Sequence, residues 1–408
     1  MPHPRNGTQI RRNNTMTILK AIKENGPIAK RDLQRLTGLS WGAVSSISGV
    51  LSACGYVTTI GKQFTTFGRK PEELDINDAD HYILGVDLNL SSGLCGVVTD
   101  VKGRIIREYK KVNVPQRYEE ALQAFYRVLD GMAADYAGKS ILGIGIAQQG
   151  FVDAKRGVSV YFPHVEGWAD VPLREMVEER YGCYTQLMHD PNCVLTAEKH
   201  AGDSFMSIAE NAALIRIDGG IGMSLMLGGE IYEGSGGQAG EFGHVTMDPG
   251  GPLCACGKRG CLGAYASIDG IVRRFAERAE AGEPTVVPAD CRDIQLLADA
   301  ARSGDALCRD IFQRMGENLG LALSNLFNTF SPEIVVLYGL ATAYKDLFFD
   351  ALTSTLHAHI YSTIPAKVQI SALGTNAPAL GAALAVSDRM LERIALLVEA
   401  ENTSDEYA

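Results

Sequence analysis

One histidine and three cysteines lie within eighteen positions of this sequence, in the segment EFGHVTMDPGGPLCACGKRGCLG at residues 241–263. The four residues are His244, Cys254, Cys256 and Cys261. One imidazole and three thiolates form the closed tetrahedral shell of a structural zinc site, whereas a redox dithiol, the alternative, would need only two thiols. Because protein fills all four positions, no place is left for a catalytic water. A Zn²⁺ ion here is therefore predicted to shape a loop, and one ring nitrogen of His244 remains available for a ligand.

The other six cysteines are scattered along the chain, and we interpret them as small core residues. They are Cys54, Cys95, Cys183, Cys193, Cys291 and Cys308. The first fifteen residues are polar, and no uninterrupted apolar run is long enough to span a membrane. We therefore expect a cytoplasmic protein without membrane insertion, in which the thiols are free or bind metal. The 408 residues, 46% of them hydrophobic, suit two or three domains.

The charge of the chain is distributed unevenly. Residues 1–71 contain eleven Lys or Arg and two Asp or Glu, while residues 72–408 contain 27 basic and 46 acidic groups. A basic head on an acidic body indicates a polyanionic partner for the head alone. A basic surface that is merely solvated is the alternative that charge by itself leaves open.

The basic segment has the pattern of a winged helix-turn-helix. Three short helices are predicted within residues 12–56, with apolar residues at helical spacing, a stop at Gly26, a turn at Gly38 and an N-cap at Ser40. The stretch that follows, YVTTIGKQFTTFGRKPEELDIN, alternates and turns like a two-stranded hairpin. Two helices joined by a tight turn and followed by a hairpin predict this domain.

In such a domain the second helix of the motif enters the major groove with its early residues towards the base edges. That helix has no lysine or arginine, so base readout is predicted for two serine hydroxyls and packing for a tryptophan. Cations on the preceding helix would neutralise phosphates, and cations in the wing would enter an A/T-rich minor groove. The predicted contacts to a double-stranded DNA operator are Lys30, Arg31, Arg35, Trp41, Ser45, Ser46, Arg69 and Lys70. A winged helix that contacts only protein is the alternative.

From Tyr82 onwards, predicted strands alternate with predicted helices, which is typical of an α/β body. We expect a winged helix-turn-helix domain at residues 1–76 and a small α/β lobe at residues 77–195, completed by a C-terminal helix at 380–400. A large α/β lobe at residues 196–379 would carry the zinc loop and an oligomerisation surface. The tail EAENTSDEYA is predicted to be disordered.

The segment GEFGHVTMDPGGPLCACGKRGCLGAYAS resembles the signature of the ROK family, which groups transcriptional repressors with sugar kinases. The head and the GRKP sequence of the wing resemble its repressor branch, and the resemblance covers residues 12–385. It implies a two-lobed actin-like sugar-kinase fold, a homodimer or homotetramer, and a sugar bound between the lobes. Asp190, Glu241 and His244 match sugar contacts of the family, and Asp190 also matches the general base of its kinases.

The nucleotide site implied by the resemblance departs from the kinase pattern. The first phosphate loop of the family reads Asp-x-Gly-x-Thr, whereas residues 87–91 read DLNLS. Residues 217–222 read IDGGIG, where Asp218 either places a negative charge near a phosphate or stabilises a turn. Residues 338–340 read YGL where repeated glycines are expected. These departures predict that the protein is not an enzyme.

The sugar contacts depart as well. Gly263 stands where the kinases have a glutamate, and His189 and His164 stand where asparagine is usual. Buried sugar hydroxyls need fixed partners, so an effector other than glucose is expected, with the two histidines as donors unless they are only surface or core polar groups. The sequence predicts a sugar-responsive transcriptional regulator, most simply a repressor. An active sugar kinase with a DNA-binding head and a repressor controlled by a partner protein are the alternatives.

Overall fold

The computed structural model describes residues 7–60, 64–65, 68–69, 72–79, 81–89, 93–201, 205–361 and 366–405. Within these ranges the chain forms an N-terminal head and a body with two sheet-centred lobes. No helix among the described residues is both long and apolar enough to cross a bilayer.

The head contains three helices and two small sheets. Its elements are α1 (Gly7–Asn25), β1 (Ile28–Ala29), α2 (Lys30–Thr37), α3 (Trp41–Ala53), β2 (Val57–Ile60), β3 (Phe64–Thr65), β4 (Gly68–Arg69) and β5 (Glu73–Ile76). Gly38 ends α2 with a left-handed φ of 68°, and the Ser40 hydroxyl caps α3 by accepting the Ala43 N–H at 3.2 Å. The strand order β1–β5–β2 gives the head a three-stranded antiparallel sheet, and β1 is a strand that sequence reasoning did not predict.

The first lobe is built on a five-stranded sheet in the order β13–β9–β6–β7–β8. Its elements are β6 (His81–Leu88), β7 (Leu94–Thr99), β8 (Ile105–Val112), α4 (Tyr118–Asp135), β9 (Ser140–Gln148), β10 (Phe151–Asp153), β11 (Val158–Tyr161), β12 (Ala169–Val171), α5 (Leu173–Tyr181), β13 (Tyr184–His189) and α6 (Asp190–His200). The central strand β6 pairs parallel with β9 and antiparallel with β7. The strands β10, β11 and β12 form a separate antiparallel sheet.

The second lobe repeats this topology in the order β18–β17–β14–β15–β16. Its elements are β14 (Ala212–Ile217), β15 (Ile221–Leu227), β16 (Glu230–Ile231), α7 (Leu262–Ala266), α8 (Ile268–Glu280), α9 (Ile294–Ser303), α10 (Ala306–Phe330), β17 (Ile334–Tyr338), α11 (Lys345–His359) and β18 (Val368–Ile370), after which the chain continues into α12 (Ala377–Asp405). Its central strand β14 pairs parallel with β17 and antiparallel with β15. Ligand sites in such sheets lie beyond the carboxyl ends of the parallel strands, so the two lobes present facing edges to a cleft.

The helix α12 returns to the first lobe, where it packs on β6, β9 and α6 and also contacts α1 of the head. The predicted fold class, a winged helix-turn-helix followed by a two-lobed α/β body, is therefore confirmed. The expected division at residue 195 falls inside the continuous helix α6, and the domain bounds stay a prediction. The predicted disorder of the tail is wrong for its first part, because α12 has helical backbone as far as Asp405.

Candidate functional site

The four predicted zinc ligands converge in one cluster on the second lobe. The ligand atoms of His244, Cys254, Cys256 and Cys261 all lie within 4.8 Å of one another. Cys256 Sγ is 3.7 Å from Cys261 Sγ, and Cys254 Sγ is 3.8 Å from His244 Nδ1. Zinc–sulfur bonds of 2.3 Å at the tetrahedral angle require a sulfur–sulfur distance of about 3.8 Å. The donor set and its spacing therefore fit a four-coordinate Zn²⁺.

The backbone around the cluster is held by short turns. The Cys254 N–H donates to the Lys258 carbonyl at 2.8 Å, and the Met247 N–H donates to the Gly260 carbonyl at 2.7 Å. Gly260 has a φ of 72°, and a Cβ there would lie 1.5 Å from the carbonyl oxygen of Asp248, so only glycine fits. The glycines of the motif thus allow a loop tight enough for four ligands around one ion.

His244 belongs to this cluster through one nitrogen of its ring. Its Nδ1 is 3.8 Å from Cys254 Sγ, so Nε2 is on the side of the ring away from that sulfur. Burial lowers the pKa of His244, and the nearby charge of Lys258 lowers it further. A neutral imidazole is the form that ligates a metal, so the environment of the ring favours that role.

The cleft between the lobes is centred on Asp190, the first residue of α6. Its carboxylate is buried and accepts hydrogen bonds from Asn89 Nδ2 at 3.1 Å and from Arg216 NH1 at 2.7 Å. Asn89 follows the central strand of the first lobe, while Arg216 lies on the central strand of the second. Asp190, which matches the general base of the family's kinases, therefore accepts hydrogen bonds from a residue of each lobe.

Arg216 is the charge centre of this cleft. Its Nε donates to Asp218 Oδ2 at 2.7 Å, and the side chains of Arg216, Asp218 and Asp190 are each less than 8% exposed. Asp218 Oδ1 in turn accepts the backbone N–H of Leu340 at 2.6 Å. One guanidinium therefore compensates two buried carboxylates and ties them to the loop at residues 339–340.

Asp87, at the end of β6, is a third carboxyl group in this charge network. Burial raises its pKa to about 7, against the attraction of Arg216, and the negative charges of Asp190 and Asp218 add to the rise.

Sequence reasoning missed Arg216, although a charged residue inside the apolar strand AALIRI was a usable signal. The side chains of Arg216 and Asp218 share one face because residues two apart on a strand do so.

The structure replaces both sequence interpretations of Asp218 by a third one. The residue is neither an uncompensated charge facing a phosphate nor only a turn residue, because it is paired with Arg216. A general base must reach the proton that it takes, and Asp190 Oδ2 already accepts hydrogen bonds from the Arg216 guanidinium and the Asn89 amide. The geometry thus opposes phosphoryl transfer through Asp190.

Glu241 lies beside the same cleft, on the loop that leads to His244. Burial raises its pKa to about 7, and the charge of Asp190 contributes, which places the two carboxyl groups near each other. The loop is anchored on β15, where the Met223 N–H donates to the Gly240 carbonyl at 2.9 Å. Asp190 and Glu241 therefore lie near each other, and His244 follows Glu241 by three residues on the same loop.

The two predicted histidine donors differ in position. His189 is mostly buried, with Nε2 at 3.4 Å from Asp190 Oδ1, and burial lowers its pKa. His164 is exposed on the loop after β11, with a left-handed φ of 61°. Its charge acts on Asp269 at the start of α8, whose pKa burial raises and His164 lowers. The structure joins His189 to Asp190 and places His164 next to Asp269.

The predicted DNA contacts within the described part of the head lie on its helix-turn-helix. Arg31, Arg35, Trp41 and Ser46 are exposed, whereas Lys30 and Ser45 are half-buried. Arg35 pairs with Asp32 at 3.3 Å, which offsets part of its charge. The backbone of Arg69 pairs with Phe64 across β3 and β4, but its side chain and the whole of Lys70 lie outside the described residues.

Two family models match the chain in agreement with this architecture. The ROK family model matches residues 84–389, which is most of the chain. The chain belongs to the ROK family. A winged helix-turn-helix DNA-binding model matches residues 11–58, which include most of α1 and the whole of α2 and α3. This ROK protein therefore carries a DNA-binding head on the family's body.

Known proteins align with this ROK protein over nearly its whole length. The xylose repressor of Bacillus subtilis (strain 168) is 28% identical over 395 residues, which cover 95% of this chain and 98% of the repressor. The crystal structure of a ROK family transcriptional regulator, a homolog of the E. coli MLC protein, superposes with a TM-score of 0.81 at 24% identity. It covers 96% of this chain and 99% of its own.

A ROK family glucokinase from Streptomyces griseus, in complex with glucose and AMPPNP, superposes with a TM-score of 0.64 at 27% identity. The match covers 98% of the kinase but 74% of this chain. This ROK protein thus has the two-lobed actin-like sugar-kinase fold behind a winged helix-turn-helix.

Proposed function

We propose that this protein is a sugar-responsive transcriptional repressor of carbohydrate genes. The observation that carries the proposal is Arg216, which holds the acid of a kinase-type cleft in an ion pair within a chain that has a DNA-binding head. Such a cleft keeps carboxylates for a sugar, while one oxygen of the acid that matches the kinase base is bonded to Arg216 and Asn89. The full-length similarity to a protein named xylose repressor supports the same function.

The proposed sugar site consists of Asp190, Glu241, His244, His189 and His164. Asp190 Oδ1, the Glu241 carboxyl group and His244 Nε2 would accept hydrogen bonds from sugar hydroxyls or donate to them, as buried polar ligand groups require. The effector is a monosaccharide, and D-xylose is the first one to test because of the named relative. His164 lies next to Asp269 of the second lobe, so its contact with the sugar would depend on how the two lobes close.

We further propose that a Zn²⁺ ion is held by His244, Cys254, Cys256 and Cys261. The ion would fix the loop that carries His244 and Glu241, and this structural role requires no open coordination position. The protein would act as a homodimer or homotetramer, because two heads related by a two-fold axis match the two half-sites of a palindromic operator. Sugar binding would close the lobes and change the spacing of the heads.

The proposed function is tested by one titration and one enzyme assay. A duplex selected by the purified protein from random DNA is labelled, and its binding is followed by fluorescence anisotropy with D-xylose and a panel of monosaccharides. The proposal expects one sugar to change the operator affinity by about 5- to 150-fold, the usual range of coupling between two sites. Rapid ATP consumption with any sugar of the panel, or failure to enrich a duplex, would contradict it.

Glu241→Gln is expected to weaken sugar binding at about pH 8 by about 10- to 150-fold, because the carboxylate is mostly charged above its pKa of about 7 and a hydrogen bond to a charged group contributes about 1.5–3 kcal/mol. Operator affinity without sugar should stay at the wild-type value, since Glu241 lies in the body. Isothermal titration with the effector and anisotropy with the duplex measure the two quantities. Glu230→Gln, an exposed glutamate of the same lobe, is the matched control. Equal sugar affinity in both variants would remove Glu241 from the site.

Arg31→Ala is expected to weaken duplex binding and to reduce the slope of log affinity against log salt by about 1, because one phosphate contact is lost. Anisotropy titrations at several salt concentrations give this slope. Lys345→Ala removes an equal charge from an exposed position in the second lobe and should leave the slope unchanged. The same slope in Arg31→Ala and wild type would show that α2 does not contact phosphates.

A further inference from the structure

We propose that the ion-pair junction of Lys23, Asp388 and His200 transmits sugar occupancy from the cleft to the DNA-binding head. The three residues belong to α1 of the head, to α12 and to the end of α6. This inference rests on the proposed function and names the positioning residues through which its regulation acts. None of the three residues lies in the proposed sugar site or among the predicted DNA contacts.

The proposed path of transmission runs through α6, α12 and α1. It begins at the proposed sugar site, because α6 starts with Asp190 and ends with His200. Ten residues of α-helix span about 15 Å, so one continuous helix leads from the cleft carboxylate to the junction. Most of this helix is buried, with Asp190, Pro191 and residues 193–198 among the buried positions. A buried helix in a close-packed interior moves as a unit, so a displacement of Asp190 is passed to its far end.

The helices α6 and α12 are in backbone contact. A Cβ on Gly381 of α12 would lie 1.7 Å from the carbonyl oxygen of Cys193 on α6, so no side chain separates the two helices there. Glu198 of α6 also accepts a hydrogen bond from Ser371, shortly before α12 begins. The two helices therefore cannot slide independently, and α12 follows any shift of α6.

The junction joins this helix pair to the head. Asp388 Oδ1 is 3.0 Å from Lys23 Nζ, and Asp388 Oδ2 is 3.1 Å from His200 Nε2. The Lys23 side chain is only 5% exposed, and a lysine is rarely buried without a partner. Burial alone would raise the pKa of Asp388, but His200 and Lys23 outweigh it and hold that pKa far below its usual range. The carboxylate is therefore charged and bonded to both elements.

Apolar contacts surround the junction. Leu391 and Ala395 of α12 pack in one buried cluster with Ile18, Leu19 and Ile22 of α1. A second ion pair joins the head to the body. In this pair Lys102 Nζ is 2.6 Å from the Asp75 carboxylate on β5, and both side chains are largely buried. This second pair involves neither α6 nor α12. It joins the same two bodies through side chains outside the proposed path, although the neighbouring Val101 carbonyl accepts the Ser387 hydroxyl of α12, and it serves as the matched control.

The test measures operator affinity with and without effector in the full-length protein. The probes are the duplex selected from random DNA and the panel sugar that most raises the melting temperature of the wild type. Lys23→Met and His200→Gln are the two path variants, and Lys102→Met is the control. Both path variants should bind the sugar with wild-type affinity, yet their ratio of operator affinities with and without sugar should fall below about 2. Lys102→Met should keep a ratio of about 5 to 150.

The outcomes separate the inference from the proposed function. A wild type that responds to sugar while both path variants respond equally overturns the inference and leaves the proposed function intact. Loss of the response in Lys102→Met to the same extent also overturns it, because any weakened head–body contact would then suffice. A wild type that responds to no sugar of the panel removes the proposed function and this inference together.

Discussion

Replacing Arg216 by methionine is expected to lower the free energy of unfolding by about 3–5 kcal/mol, the usual cost of removing one partner from a buried ion pair. Asp190 and Asp218 would keep their burial but lose the guanidinium that contacts each at 2.7 Å. Asp87 would lose the same attraction. Urea denaturation followed by circular dichroism at pH 7.5 measures the difference. Arg302→Met, which breaks an exposed pair with Asp346, is the control and should cost far less.

The difference in stability between the wild type and Arg216→Met is also expected to depend on pH. The pKa of Asp87 is raised to about 7 in the folded state, so folding favours its protonated form. Its contribution to stability is fully present below about pH 4, its unfolded pKa, and is lost as the pH rises through 7. Removal of Arg216 raises that pKa further, so the deficit of the variant should grow as the pH rises above about 7, where Asp87 of the wild type becomes charged before that of the variant. A deficit that is small and independent of pH would mean that the carboxylates find other partners.

Replacing Cys261 by alanine is expected to reduce bound zinc from about one ion per chain to near zero and to lower the melting temperature by on the order of 10 °C. Cys261 is fully buried, and its sulfur is one of the four donors within 4.8 Å. A structural ion contributes its binding free energy to folding, which is large compared with one hydrogen bond. Metal analysis of the purified chain and calorimetry measure both quantities, and sugar affinity should fall with them because His244 loses its anchor.

Cys291→Ala is the control for this experiment. Cys291 is a half-buried cysteine of the same lobe that lies outside the cluster. The zinc content of the Cys291→Ala variant should stay at the wild-type value, and the melting temperature of this variant should change little. If Cys261→Ala retains zinc, or loses zinc without any change in melting temperature, the cluster does not hold a structural ion.

Local patterns in the sequence were sufficient for the head and for the zinc cluster. The Gly38 turn, the Ser40 cap and the apolar spacing of α2 and α3 act over a few residues, and the structure has each of them. The histidine and the three cysteines lie within eighteen positions, and the glycines among them let the backbone fold back on itself. Patterns of this kind depend on short-range sterics and hydrogen bonds, which a single sequence carries in full.

The charge network of the cleft was not predictable in this way. Asn89, Asp190 and Arg216 come from three different strand ends and meet only because the two sheets face each other. Sequence reasoning identified Asp190 through a resemblance but missed the residue that neutralises it. The same holds for Lys23 and Asp388, which are 365 positions apart and form an ion pair at 3.0 Å.

The sequence by itself therefore determined the secondary-structure pattern, the type of head, the cluster that could hold a metal and the family of the body. Only the tertiary structure decided which charges compensate one another in the cleft and which helix links the cleft to the head. The physical reason is that the pairing energy of a buried charge depends on neighbours brought close by the packing of whole sheets and helices. Separation along the chain contains no information about that distance.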